Sequence, residues 1–300
     1  MKIIGCADLH ISATKPRYRT DKDYLKTCIH KLDQIIAIAN EEDCPIVCAG
    51  DLVDHYTVSH KVVNAILDSL SVLKHEFYLV LGQHDVPYHN FDIDKSPIGT
   101  LLKANRIILL NNKWNDGLFG VNFGEEEIPE TKSSTDTLVI HTAITENDPP
   151  FFLEDAISAD YALNEAFKFF KVIVSGDFHQ PFTLKKHNRL LVNCGPMMRK
   201  SLDQADIQPC VWKIDTDEPK AVRINLLVEN PDDVFNFKLA DKEKSNENKF
   251  SDDMQNLIQT LKDQDKVPSI FDTAKVVMKQ RKSGKNIRIL VNKFLSGGKK

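Results

Sequence analysis

Five short stretches carry side chains suited to holding metal ions, and each follows an apolar, strand-like run. They are Asp8-Leu9-His10, Gly50-Asp51-Leu52-Val53-Asp54, Gly82-Gln83-His84-Asp85, His141 and Gly176-Asp177-Phe178-His179. Two divalent cations about 3.5–4 Å apart need a bridging anion, terminal carboxylates and imidazoles, and open positions for water and phosphate. Asp51 is the natural bridge, because a carboxylate can offer one oxygen to each ion. Asp8, Asp177, His10, His141 and His179 offer further oxygens and neutral nitrogens, and Gln83 offers an amide oxygen suited to a hard cation. His84 has the chemistry of a general acid, with Asp85 beside it to fix its orientation and raise its pKa. In the rival reading Asp85 is a loop cap and His84 only a phosphate donor. The donor set lacks thiolate, which points to manganese, magnesium, iron or zinc; manganese is the expected ion.

The runs that must position these groups are Ile3 to Ala7, Pro45 to Ala49, Phe77 to Leu81, Leu138 to Ile140 and Val172 to Ser175. Between the first three, apolar residues recur at helical spacing: Leu25, Ile29, Leu32, Ile35, Ile36 and Ala39, then Val62, Val63, Ile66, Leu67, Leu70 and Leu73. This βαβαβ order predicts right-handed crossovers and a largely parallel sheet. In such a sheet the carboxyl ends of the strands converge on one crevice. Asp8 and His10 are two residues apart, so a turn must follow the strand if both are to reach one ion. Further strand-like runs at 189–194 and 211–214 predict a second sheet packed on the first, with a helical stretch near 160–170. Residues 86–137 are irregular, and Glu125-Glu126-Glu127 reads as a solvated loop. Asp54 reads as a turn or supporting residue, and His55, His60, His75, His89 and His187 as surface or loop histidines.

Three hundred residues, 42% hydrophobic and 27% charged, describe an ordinary globular chain. The net charge of −4 is no nucleic-acid footprint, so a DNA partner would need local basic patches, metals or another subunit. No apolar run approaches the roughly 18 residues of a membrane span. The start runs directly into the first motif, which predicts no cleaved signal peptide. Cysteines 6, 28, 44, 48, 194 and 210 show neither CxxC nor disulfide-like spacing, and a reducing, cytoplasmic setting is expected. Lys238 to Asp253 is charged and Asn-rich and reads as a linker. Two short amphipathic helices are predicted beyond it, through Met254, Leu257, Ile258 and Leu261, and through Ile287, Leu290, Val291, Phe294 and Leu295. Phe271 to Lys300 holds nine Lys/Arg against one acidic residue, Asp272. That tail suits DNA or docking on a partner, with docking slightly favoured.

The series Asp-x-His, Gly-Asp-x-x-Asp, Gly-x-His-Asp, His and Gly-x-x-His resembles that of the calcineurin-like metallophosphoesterases over roughly the first 225 residues. The Ala7-Asp8-Leu9-His10 opening, the segment from His89 to Leu102 and the Asn193-Cys194-Gly195-Pro196 turn are similar to SbcD-type DNA repair nuclease subunits, and the small size to bacteriophage members. The resemblance implies a four-layer αββα sandwich of two packed mixed sheets in residues 1–228. A linker or reduced cap remnant would follow at 229–253, with a helical partner-binding appendage at 254–300. It implies one ion on Asp8, His10, Asp51 and His179, and a second on Asp51, Gln83, His141 and Asp177, with His84 as the acid. It implies a DNA exonuclease of recombination and repair, with endonuclease activity left open, working in a bacterial or infected cell. The partners implied are DNA, a second copy of the chain and an SMC-like coiled-coil ATPase of the SbcC type. Gln83 and Asp177 depart from the family's usual Asn and His, both on the second ion, which should favour a harder cation there. A phosphoesterase acting on another substrate is the alternative.

Overall fold

Alternation along the strands decides the layers. In β1 (Lys2–Cys6), Ile4 and Cys6 face away from Ile3; in β2 (Ile46–Cys48), Ile46 and Cys48 face away from Val47. One set packs under α1 (Tyr24–Glu42) and α2 (His60–Leu70). The other fills the space between two sheets, because successive residues of a strand point to opposite faces. The chain is described by a computed structural model covering residues 1–87, 92–112, 114–125, 128, 136–150, 153 and 155–245.

The first sheet runs in the order β14 (Lys220–Asn225), β13 (Cys210–Asp215), β1, β2, β3 (Phe77–Leu79), β4 (Ile108–Leu109). The second runs β11 (Phe182–Lys186), β12 (Arg189–Asn193), β10 (Val172–Gly176), β7 (Thr137–His141), β6 (Leu118–Val121), β5 (Trp114–Asn115). In the first sheet β1 to β4 are parallel, and β13 and β14 add antiparallel at one side. In the second a parallel centre is flanked by antiparallel pairings at both edges, so both sheets are mixed. A separate parallel pair joins β8 (Ile144–Thr145) to β9 (Ile157–Ser158). Val139, Val172 and Val174 face the first sheet, while Leu138, Ile140 and Ile173 face an outer cluster with Ala159, Leu163, Phe167 and Phe170. Helices outside and two sheets inside give the four-layer αββα arrangement.

The helical spacing predicted for α1 holds because Leu25, Leu32, Ile35, Ile36 and Ala39 are buried on one face. The Asp23 carboxylate caps its start by accepting the Lys26 N–H at 3.1 Å, a contact worth about 1 kcal/mol. The irregular stretch after residue 86 contains α3 (Pro97–Lys103) as well as β4, β5 and β6. These elements are two to seven residues long, too short to show a period. Near 160–170 the chain makes α4 (Ala159–Tyr161) and then a π-helical turn, Ala162–Ala166. The Arg189 guanidinium donates to the Leu163, Phe167 and Phe170 carbonyls, satisfying groups that a regular helix end would leave open.

The compact unit extends to Phe237. Val234 and Phe235, around α5 (Pro231–Val234), are buried, and the Asn236 N–H bonds the Tyr18 carbonyl at 2.8 Å. Packed chain thus occupies the first part of the stretch expected as linker or cap remnant, and residues 237–245 are helical. The rest of that stretch, both predicted C-terminal helices, His89, and Glu126 with Glu127 lie outside the described residues. Among the described residues, no helix is long and apolar enough to cross a membrane.

Candidate metal centre

Beyond β1 and β2 the two loops continue side by side. The Asp8, His10 and Ile11 N–H groups donate to the carbonyls of Gly50, Asp51 and Leu52 at 3.0, 2.9 and 3.1 Å. Along this path Asp8, His10 and Asp51 adopt left-handed backbone, with φ of 51°, 46° and 53°, and Asp177 at the end of β10 has φ of 79°. Such conformations are sparse for residues with a side chain and collect at functional sites, where the surroundings hold them in place. They also answer the two-residue spacing: Leu9 and Ile11 enter the core while Asp8 and His10 both reach the crevice. Gly50, at φ 96°, must be glycine for a second reason, since a Cβ there would lie 2.2 Å from His141 Nδ1.

Asp51 is the hub. Its Oδ2 stands 3.5 Å from His141 Nε2, 3.7 Å from His10 Nε2 and 3.9 Å from His84 Nε2. His179 Nε2 lies 3.8 Å from Asp8 Oδ1, and His141 Nε2 lies 3.9 Å from Asp177 Oδ1. These separations are too long for hydrogen bonds. They suit donors that share an ion, since two atoms each about 2.1 Å from a metal stand roughly 3–4 Å apart. Asp8, His10 and His179 form one such group; His10, Asp51 and His84 a second; Asp8, Asp51 and His141 a third. Gln83 and Asp177 meet at the mouth, where the Gln83 amide donates to Asp177 Oδ1 at 2.9 Å.

Unpartnered atoms test whether ions fit. Seven buried side-chain nitrogen and oxygen atoms among the described residues lack a hydrogen-bond partner. Four of them are here: both ring nitrogens of His10, His141 Nε2 and Gln83 Oε1. Each would cost about 1–3 kcal/mol if left unsatisfied, and bound divalent cations would give His10 Nε2, His141 Nε2 and Gln83 Oε1 a partner. The outer contacts agree. His141 Nδ1–H donates to the Ala49 carbonyl at 2.6 Å, which leaves Nε2 facing the cluster as the nitrogen that would ligate.

Charge is concentrated in this crevice. Burial would raise the Asp51 carboxyl, but His141, His10 and His84 together hold it well below the usual carboxylate range. Burial opposes charge on His141, yet Asp51 raises that imidazole to about 10. The two face each other at 3.5 Å, so a cation held by His141 Nε2 would take the place of a proton there. His10 goes the other way: burial lowers it to about 4 despite Asp51, so it is neutral and ready to ligate at neutral pH.

His84 and Asp85 are not paired as the sequence suggested. Asp85 is fully buried, and its oxygens accept the Gly82 N–H at 2.9 Å and the Val53 N–H at 3.1 Å. Its geometry is that of the loop cap in the rival reading. Burial and the nearby Asp51 charge raise its carboxyl to about 7. His84 is oriented instead by the Asp54 carbonyl, which accepts its Nδ1–H at 2.8 Å. Asp85→Asn turns one acceptor into a donor facing a backbone N–H and is expected to lower stability by about 1–3 kcal/mol, read by urea denaturation. An unchanged midpoint with a displaced acid limb in the pH–rate profile would return Asp85 to the side of His84.

Three contributors carried no signal in the spacing. Lys200 Nζ pairs with Asp54 Oδ1, itself 3.6 Å from His10 Nδ1. Asn193, buried at the end of β12, donates to the carbonyls of Phe178 and Gln180 at 2.6 and 2.7 Å and so fixes the loop carrying His179. Gln204 touches His179 Nδ1 at 2.9 Å. Only the Asn193-Cys194-Gly195-Pro196 turn could have drawn attention to this region. His55 and His60 are exposed, and His75 pairs with Asp43 at 2.9 Å; none of the three joins the candidate ligand groups.

The profile of the calcineurin-like phosphoesterase family matches residues 1–181, and the chain belongs to that family. It is a family of divalent-metal enzymes, and the His/Asp cluster supplies candidate ligands. No curated protein matches the chain. Among solved structures, an archaeal phosphodiesterase is 15% identical, with 75% of this chain and 100% of that one covered and a TM-score of 0.42. A Staphylococcus aureus protein provisionally assigned as a 5′-nucleotidase, solved with alpha-ketoglutarate, is 14% identical at a TM-score of 0.46. There 76% of this chain is covered, and it spans 55% of the other's length. Zinc-bound Vps29 of Entamoeba histolytica is 11% identical, with 75% and 99% covered and a TM-score of 0.35.

Proposed function

We propose that the protein is a two-metal-dependent DNA nuclease of the SbcD type. In this reading it degrades DNA ends as a homodimer, together with an SMC-like coiled-coil ATPase of the SbcC type. The observation that carries the hydrolytic reading is the convergence of unpartnered His10 and His141 nitrogens on Asp51, with the unpartnered oxygen of the Gln83 amide that meets Asp177. DNA as the substrate is supported by the Ala7-Asp8-Leu9-His10 opening, the turn at Asn193 and the basic tail. Manganese is the proposed ion, because the donors are nitrogen and oxygen and the Gln83 and Asp177 corner adds hard oxygen.

Bound divalent cations would activate water and offset the charge of a phosphodiester. Asp8, His10, Asp51 and His179 would hold one, and Asp51, Gln83, His141 and Asp177 the other. The chain's own step falls to His84. With its Nδ1–H held by the Asp54 carbonyl, Nε2 is directed at the crevice. There it gives a proton to the leaving oxygen as the P–O bond breaks. The Lys200–Asp54 ion pair steadies the loop that sets this direction.

The test is purified full-length protein on linear duplex DNA and on a small phosphodiester, with and without manganese and with the ATPase added. Manganese-dependent loss of DNA is the expected result. Hydrolysis of the small ester with none of DNA would sink the nuclease and leave a phosphoesterase of another substrate. No hydrolysis of either would remove the enzymatic reading.

A further inference from the structure

Gln204 sits on a short turn, Leu202–Gln204, and its side chain is buried. Both ends of its amide are engaged. Oε1 accepts the Lys200 N–H at 2.7 Å, and Nε2 lies 2.9 Å from His179 Nδ1. An amide N–H can only donate, so His179 Nδ1 is the acceptor and the proton of the neutral ring is on Nε2. That nitrogen faces Asp8 Oδ1 at 3.8 Å.

The arrangement conflicts with metal ligation. Nε2 faces the Asp8 and His10 corner and needs its lone pair free to bind an ion there. The ring proton must then occupy Nδ1, where it needs an acceptor. Gln204 can supply one by turning its amide over, so that Oε1 meets Nδ1–H. That turn takes Oε1 away from the Lys200 N–H. The ring keeps one proton throughout, which moves from Nε2 to Nδ1 by way of solvent. Lys200 lies at the same turn and holds Asp54, whose carbonyl orients His84.

We infer that Gln204 is a positioning residue that sets the tautomer of His179, so that ion binding at the Asp8, His10 and His179 corner exchanges the hydrogen bond between Gln204 and the Lys200 backbone. The inference rests on the metal-site reading above. It assigns to the 200–204 turn a coupling between ion occupancy and the loops around His84.

The test uses the full chain and two variants. Gln204→Glu offers only acceptors to Nδ1–H, and Gln204→Met offers none. Manganese affinity is measured by titration calorimetry, after thermal melting of the metal-free proteins has shown that both variants fold. Partners of this outer kind are typically worth 10–100-fold in metal affinity. Gln204→Met should therefore bind about 10–100-fold more weakly, while Gln204→Glu binds at least as tightly as the parent. Equal losses in both variants, or none in Gln204→Met, would overturn the inference while leaving the metal site standing. Absence of binding in the parent would instead overturn the metal site and the inference with it. A second readout does not depend on the variants. Nitrogen NMR of the His179 ring should show the Nε2–H tautomer without metal and Nδ1–H with magnesium or zinc. A ring that keeps one tautomer under both conditions would also overturn it.

Discussion

Asp51→Asn is expected to lower turnover by about 10³-fold or more and to abolish the binding of at least one ion. The loss follows from position. Oδ2 of Asp51 is within 3.9 Å of nitrogens from three histidines at the ends of three different strands, and Oδ1 accepts the His84 N–H at 2.9 Å. Asparagine keeps the shape but removes the charge and replaces one donor oxygen with an N–H group that cannot ligate. A single preorganised group at a reacting centre is commonly worth 10²–10³-fold, and this one serves both halves of the site. Calorimetric titration with manganese and a steady-state assay read the two effects. A variant that still bound two ions with parental affinity would show that Asp51 is not the bridge.

His84→Ala is expected to cost about 10²-fold or more in turnover while ion affinity is unchanged. Its side chain is 39% exposed, the outermost of the three imidazoles around Asp51, as suits a group that meets substrate. The geometry also allows a different role, since His84 groups with His10 and Asp51 closely enough to ligate. The two measurements separate these roles. Lower turnover at constant affinity marks the acid, whereas a parallel fall in both marks a ligand. Unchanged turnover would mean that the proton comes from elsewhere.

Much of the candidate site was legible because its chemistry is local. Each motif ends an apolar run, so the sequence assigns Asp8, Asp51, Gln83, His141 and Asp177 to strand ends, and the strand ends do meet. Helical spacing likewise marked the buried face of α1, where Leu32 and Ile35 show no exposure. Short elements were not legible. β4 and β5 are two residues each, so no period could accumulate; β4 is held by β3 from far along the chain, and β5 by the adjoining β6.

The partner of Asp85 was misjudged for a related reason. Adjacency favoured His84, but the fold brings Val53 N–H from another loop to the same carboxylate. A buried carboxylate takes the N–H groups that reach it, whatever their distance in sequence.

Residue type and periodicity alone therefore determined which side chains can ligate, which runs are strands and which helix faces are buried, because those properties depend on a few neighbouring residues. Tertiary structure decided the rest. It placed Asp8 and His10 on one side through two left-handed residues, turned Asp85 into a clamp, and brought Lys200, Asn193 and Gln204 to the cluster. Those outcomes depend on which loops lie side by side once two sheets have packed face to face, and no local pattern encodes that pairing.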